Sequence, residues 1–375
     1  MKNAAVHPVA SPFNAAALAL ALATGLAAAG SQAASVTEQR ALAPFHAIDV
    51  SGPYDIVIRA QGKHALELRG DSKQLAEIDT RVSGDTLIVR PASRNGFSFN
   101  FGRRTEPVRI TITAAMLNSL KMSGSGDVTL EQVNSDKLQL SASGPGDLHG
   151  DGSVRDLVLD SSGSGDVDLQ RLKSANVKLT MSGPGDVQLS GPMSRFDGEV
   201  RGSGGLDVRR LQAQSVRIVM DGPGDVTLEG DTASLNAELK GSGALDASRL
   251  NSRNAAVRSR GPGDIELATV SGTLEAELRG AGSLEAALDG ERLALVMSGP
   301  GEAHLHGKVG SVNAQLSGSG DLEARQLLTA SADVVVRGPG SASVSVQEKP
   351  DPKNARPARA YVLNVDRRGA RQTHD

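Results

Sequence analysis

From about residue 114 to 346, aliphatic side chains fall at every second position in short runs, and each run is punctuated by a glycine pair. Val128 and Leu130, Val167 and Leu169, Val187 and Leu189, Val226 and Leu228, and Ile265 and Leu267 follow such a pair. Leu138 and Leu140, Val177 and Leu179, Leu235 and Leu239, Leu274 and Leu278, and Val334 and Val336 precede one. A period of two places alternate side chains on opposite faces, so these runs predict strands with one face buried. The punctuation is periodic too. The first glycines, Gly124, Gly144, Gly163, Gly183, Gly202, Gly222, Gly241, Gly261, Gly280, Gly299, Gly318 and Gly338, stand 19 or 20 residues apart. The residue after each alternates Ser and Pro, with one Ala at Ala281.

A fixed period near 20 predicts a solenoid. Two short strands hinged at each Gly-X-Gly and joined by a looser closing segment make one coil of a parallel β-helix, with about twelve coils in all. Stacked at ~4.8 Å, they would extend roughly 55–60 Å. The structural turns are expected at Gly124 and Gly126, Gly144 and Gly146, Gly163 and Gly165, Gly183 and Gly185, Gly222 and Gly224, Gly261 and Gly263, Gly299 and Gly301, and Gly318 and Gly320. Gly-Pro-Gly-Asp fits a type II turn, in which the second glycine takes φ > 0, and the Asp is expected to bond its own backbone. A leucine-rich repeat is the structural alternative, but no Asn ladder or spaced Leu consensus is present.

The flanks break the period. Residues 41–113 predict an N-terminal β cap, with a helix near Lys73 to Ile78 and a worn copy of the turn at Ser51-Gly-Pro-Tyr-Asp55. Phe97, Phe99 and Phe101 are expected to form a flap over the open end of the core. The repeats occupy 114–346. Residues 347–375 read as a linker, a cap strand at Tyr361 to Val365 and a solvated basic end, Arg367-Arg368-Gly-Ala-Arg371. At the other terminus, Lys2, the apolar run Ala15 to Ala29 and Ser31-Gln32-Ala33-Ala34 predict a signal peptide over 1–34. The run is shorter than the ~20 residues that span a bilayer. The chain is therefore expected to be exported, to periplasm or outer cell surface, with no transmembrane segment in its mature part.

Composition narrows the function. Among 375 residues the net charge is −3, so no global field favours nucleic acid. Aromatics make up 2 %, without a single Trp, which leaves few stacking faces for sugars or single strands. Cysteine is absent, which removes disulfides, thiolate metal sites and cysteine nucleophiles.

Phe45-His-Ala-Ile-Asp-Val-Ser-Gly-Pro-Tyr-Asp-Ile-Val-Ile, Val108-Arg-Ile-Thr-Ile-Thr and Leu117-Asn-Ser-Leu-Lys-Met-Ser-Gly-Ser-Gly-Asp resemble the bacterial autotransporter adhesin head, GIN domain family. The likeness runs from Phe45 to about Gly340. It implies an exported right-handed β-helix with an adhesin role and brings no catalytic residues. Nothing in the sequence resembles a C-terminal translocator barrel.

Candidate chemistry is sparse. Calcium-binding β-rolls use Gly-Gly-x-Gly-x-Asp nonapeptides, whereas here Asp directly follows the second Gly and is lost at Gly205, Ala244, Ser283 and Ser341. A sharper candidate comes from the third residue after each closing glycine, which should face outward. That column runs Thr129, His149, Asp168, Gln188, Asp207, Thr227, Asp246, Glu266, Glu285, His304, Glu323, Ser343. Glu285, His304 and Glu323, with His306 on the same face, form a candidate patch for a weakly held divalent cation or a pH response. Against it, Arg201, Lys240, Arg260 and Arg279 could reach across the corner and neutralise the acids. Neither a paired-carboxylate cleft nor a Gly-x-Ser-x-Gly elbow is present. The expected function is non-enzymatic adhesion or envelope interaction through the solenoid surface, with glycan, matrix or an envelope protein as partner. A periplasmic scaffold without external ligand and a polysaccharide-active enzyme are the alternatives.

Overall fold

The computed structural model describes residues 35–92, 108–347 and 360–373. The expected signal segment, the flap of Phe97, Phe99 and Phe101, and most of the linker lie outside the described residues. The rest is a parallel β-solenoid of about eleven turns. Val128–Ala142, Leu148–Ser161 and Val167–Met181 are continuous strands, each running from one corner to the next. These strands pair in parallel with their counterparts above and below, so that Leu148 lies between Val128 and Val167. Each coil has three faces: an exit face after the corner, a closing face, and an entry face leading into the next corner.

The closing segment was expected to be loose, and it is not. Asn134 pairs with Ser153 and Ser153 with Lys173, so the ladder continues through it. Its strand pattern is faint in the sequence because few of its residues point inward. Between the exit and closing faces the backbone bends through a left-handed residue. Gln132 has φ 58°, Gly152 129°, Arg210 55°, Gly230 132° and Gly307 105°. The ladder register shifts nearby, between His149 and Asp151 and between Val208 and Leu211, as at a β-bulge.

The corners differ from expectation in a more instructive way. No Gly-X-Gly glycine from Gly124 onward has a φ in the left-handed region, so the turns are not type II. These glycines are needed because of their neighbours. A Cβ on Gly144, Gly163, Gly183 or Gly202 would collide with the carbonyl oxygen of the first corner glycine one coil below. The second glycine hydrogen-bonds to that same carbonyl: Gly165 N–H donates to Gly144 at 3.3 Å, and Gly224 N–H to Gly202 at 3.1 Å. Coils spaced by a β-ladder leave no room at the corner for any side-chain atom.

Inward residues from all three faces fill one continuous core. The coil from Val187 to Val200 carries Phe196, fully buried, and makes room for it nearby. A Cβ on Gly198 would come within 3.0 Å of Ile218 and 3.2 Å of the Phe196 ring.

At the N-terminal end, Ala47–Val50 runs parallel between Thr86–Pro91 and Ser119–Met122. Asp55–Arg59 runs parallel between Arg109–Thr113 and the start of Val128–Ala142. Ser51-Gly-Pro-Tyr-Asp55 is thus a true corner of the stack, with Gly52 beneath Gly124 and Tyr54 beneath Gly126. Burial, then the charge of Glu77, push the Tyr54 phenol up to about 12. Antiparallel pairs finish this end: Val36–Arg40 on Ala65–Gly70, and Ile78–Ser83 on Thr86–Pro91. A helix at Ser72–Ala76, capped by Asp71, buries Leu75. Arg40 ties it down by donating to the Leu75 and Ile78 carbonyls at 2.9 and 2.7 Å. At the other end Ala360–Asp366 docks antiparallel on Ala342–Gln347. The basic end, expected to be solvated, returns as the strand Gly369–Thr373 with its side chains exposed.

Candidate functional site

The outward column of the exit face has the register expected of it. His149 pairs with Asp168, Asp246 with Glu266, Glu266 with Glu285, Glu285 with His304, and His304 with Glu323. His306 lies further along, between Ala287 and Gln326. The His304 ring turns to Glu302 at the corner, Nε2 to Oε2 3.2 Å, rather than into the column. Among the described residues no group of three or more His, Asp or Glu side chains converges to hold a metal. Glu285, His304, His306 and Glu323 therefore share a face without forming a ligand set, and the donor geometry does not fit a bound divalent cation.

The basic residues before the corners do not reach across them. Lys240 and Arg260 both meet Glu238, at 3.4 and 3.6 Å, Arg201 meets Glu199, and Arg279 meets Glu277. For Lys240, Arg201 and Arg279 the partner is the acid two positions back, the nearest residue on the same face at a period of two, whereas Arg260 reaches Glu238 of the coil below. These are exposed pairs, worth ~0–1 kcal/mol each.

The corner acids also bind differently from expectation. Asp127 accepts the N–H of Asp147 at 2.9 Å, Asp147 that of Asp166 at 2.8 Å, and Asp166 that of Asp186 at 2.9 Å. Asp186, Asp225, Asp264 and Asp321 continue the pattern onto Gly205, Ala244, Ser283 and Ser341. Each carboxylate thus bonds the next coil, not its own. Gly205, Ala244, Ser283 and Ser341 receive this bond from the coil below but offer no carboxylate to the coil above. The N–H and then the hydroxyl of Ser283 hold the Asp264 carboxyl below its ordinary range. The Ser248 hydroxyl does the same to Asp246.

With corner and core committed to the stack, recesses lie on the closing face. One, of about 590 Å³, is lined by Asn134, Ser135, Asp136, Ser153, Arg155, Lys173 and Ser174, with Met116 and Pro192 at its edges. Another, of about 640 Å³, is lined by Gln212, Asp231, Thr232, Asn251, Ser252, Arg253 and Ser271. Between them the closing ladder is interrupted at residues 191–194, where the coil is split into Val187–Ser190 and Arg195–Val200. Sequence reasoning missed both recesses. The available signal was a triplet of small or polar residues some ten positions after each corner: Asn134-Ser-Asp, Ser153-Val-Arg, Lys173-Ser-Ala, Asp231-Thr-Ala and Asn251-Ser-Arg.

A coil stack with Gly-X-Gly corners, finished at its N-terminal end by antiparallel strands and one short helix, defines a parallel β-solenoid. The family model described as "Putative auto-transporter adhesin, head GIN domain" matches residues 44–227, 193–287 and 269–355, and the chain belongs to that family. By sequence, no protein of curated function matches it. Among solved structures it is similar to a "putative adhesin" from Bacteroides fragilis, at 20 % identity and TM-score 0.26 over 81 % of this chain and 96 % of that one. It is also similar to a "putative lipid binding protein" from Parabacteroides distasonis, at 16 % identity and TM-score 0.33 over 82 % and 95 % of the two chains. A "putative adhesin" from the same organism aligns at 14 % identity and TM-score 0.36 over 81 % and 98 %. Among the described residues no helix is long and apolar enough to cross a membrane.

Proposed function

We propose that this chain is a non-enzymatic solenoid of the cell envelope that acts in adhesion through its surface, with the closing face as the contact surface. The observation that carries this reading is the pair of open recesses built from successive coils. The corner has no space for side chains, and much of the charge on the entry face is spent on its own neighbours. The closing face combines side-chain variety with concavity, which is what recognition of an extended partner requires. Family membership supports export and an adhesin-like role. Glycan, matrix or a second envelope protein fits such a face.

Protease shaving of intact cells tests the reading. Digestion of the chain while a periplasmic control survives is the expected result. Protection until the outer membrane is opened would overturn the surface role and favour a periplasmic scaffold.

A further inference from the structure

We infer that this chain forms a two-fold symmetric dimer, in which residues 331–336 of the last entry face pair antiparallel with the same residues of a second copy. These residues end the strand Leu322–Val336. On one side they lie on the preceding coil, with Ala332 beside Val312, Val334 beside Ala314 and Val336 beside Leu316. On the other side no strand pairs with them among the described residues, because Ala342–Gln347, Ala360–Asp366 and Gly369–Thr373 extend the exit face instead. The lower coils show what is missing. The carbonyls of Leu278, Met297 and Leu316 accept the N–H groups of Ser298, Ser317 and Arg337 from the coil above. Val336 stands where Leu316 stands, without a coil above it. By the alternation of a strand, the N–H and C=O groups of Ala332, Val334 and Val336 face this open edge.

The side chains suit a copy of the same strand. Val334 and Val336 point inward and are only partly buried, while Val335 points outward and is 39 % exposed. Asp333 and Arg337 flank Val335 on the outward side, both exposed and neither in an ion pair among the described residues. In an antiparallel pair, residues directly opposite each other share a face. With Val335 opposite its own copy, Asp333 stands opposite Arg337 and Val334 opposite Val336, each pairing repeated by the symmetry. The hydrogen-bond phase agrees. Val334 and Val336 exchange about four hydrogen bonds in all, and the Val335 and Asp333–Arg337 pairs fall at the non-bonded positions, where side chains approach most closely. Setting Val334 opposite itself would put Asp333 against Val335 and leave both charges unmatched.

A bare apolar edge is a liability, and neither a proline nor a register shift blunts this one. Self-pairing in one register uses up both edges and closes at two copies. The exit face stands two strands taller than the entry edge, so the two stacks splay at the joint rather than run on as one rod. No residue of the closing-face recesses takes part, so the dimer does not depend on the adhesion reading.

Sedimentation velocity of the purified chain at micromolar concentration tests the pairing, and dimers are expected. Asp333→Arg and Arg337→Asp should each weaken dimerisation about tenfold, because each sets like charges opposite one another on both sides of the axis. The double variant carrying both changes should regain the wild-type affinity. A monomeric wild type, single variants that dimerise as tightly as the wild type, or a double variant as weak as the single ones would overturn the proposal.

Discussion

Corner and closing face are made by the same coils, yet they use sequence in opposite ways. At the corner, backbone lies directly on backbone, and the glycine of one coil leaves no room for a Cβ in the next. Every coil must therefore repeat the same two residues. On the closing face side chains meet solvent, the bend accepts Gln132 and Arg210 as well as glycines, and the ladder even breaks at 191–194. Repetition marks where coils touch through main chain, and variation marks where the surface is free to recognise something.

The strongest way to break this contrast is to put a side chain into a corner. Gly183→Val would bring a Cβ to 2.7 Å from the Ser162 carbonyl carbon, and backbone on that side has nowhere to retreat. A loss of about 3 kcal/mol or more is expected in urea unfolding. Removing an inter-coil acceptor is milder. Asp166→Ala takes away the partner of the Asp186 N–H and should cost about 1 kcal/mol in the same assay. On the closing side the sign reverses. Gln132 sits at φ 58°, and Gln132→Gly keeps the backbone bond to Asp151, so a gain of about 0.5–1 kcal/mol is expected.

Acid sharpens the contrast least. The Asp264 carboxyl is held below its ordinary 3.8, so the folded form binds its proton less readily than the unfolded form. Its stabilising contribution is present above about pH 4 and is lost as the pH falls through the folded value. Asp264→Asn should flatten the fall of the thermal midpoint below pH 4 slightly, and leave the midpoint's slope at pH 5–8 unchanged.

How far the sequence was legible follows the same division. The parallel stack, the inward aliphatics and the outward column from Thr129 to Glu323 could all be read, because period two and period 20 are local patterns repeated many times; the last member, Ser343, is buried where it bonds Asn364 of the docking strand. The worn corner at Gly52 was legible for the same reason. The corner geometry was misread, because Pro-Gly looks locally like a type II turn, and the steric reason for glycine lies some 20 residues away in the coil below. The corner Asp was misread likewise, since a bond to its own backbone and a bond to the next coil need the same residue. Arg279 was assigned across the corner when Glu277, two residues back, was nearer. Glu285, His304 and Glu323 were placed in the right column, but the acid at Glu302 draws the His304 ring away. The recesses were unread because their lining comes as polar triplets with no periodic apolar signal.

Native-state hydrogen exchange tests the contrast most directly. The N–H of Gly185, bonded to the Gly163 carbonyl, should exchange only with unfolding of the stack, while the N–H of Met193, between the bonded Gly191 and Ser194 in the 191–194 segment, exchanges through local opening at much lower denaturant dependence. Corner amides that exchange as fast as that segment, with the same shallow dependence, would contradict the account.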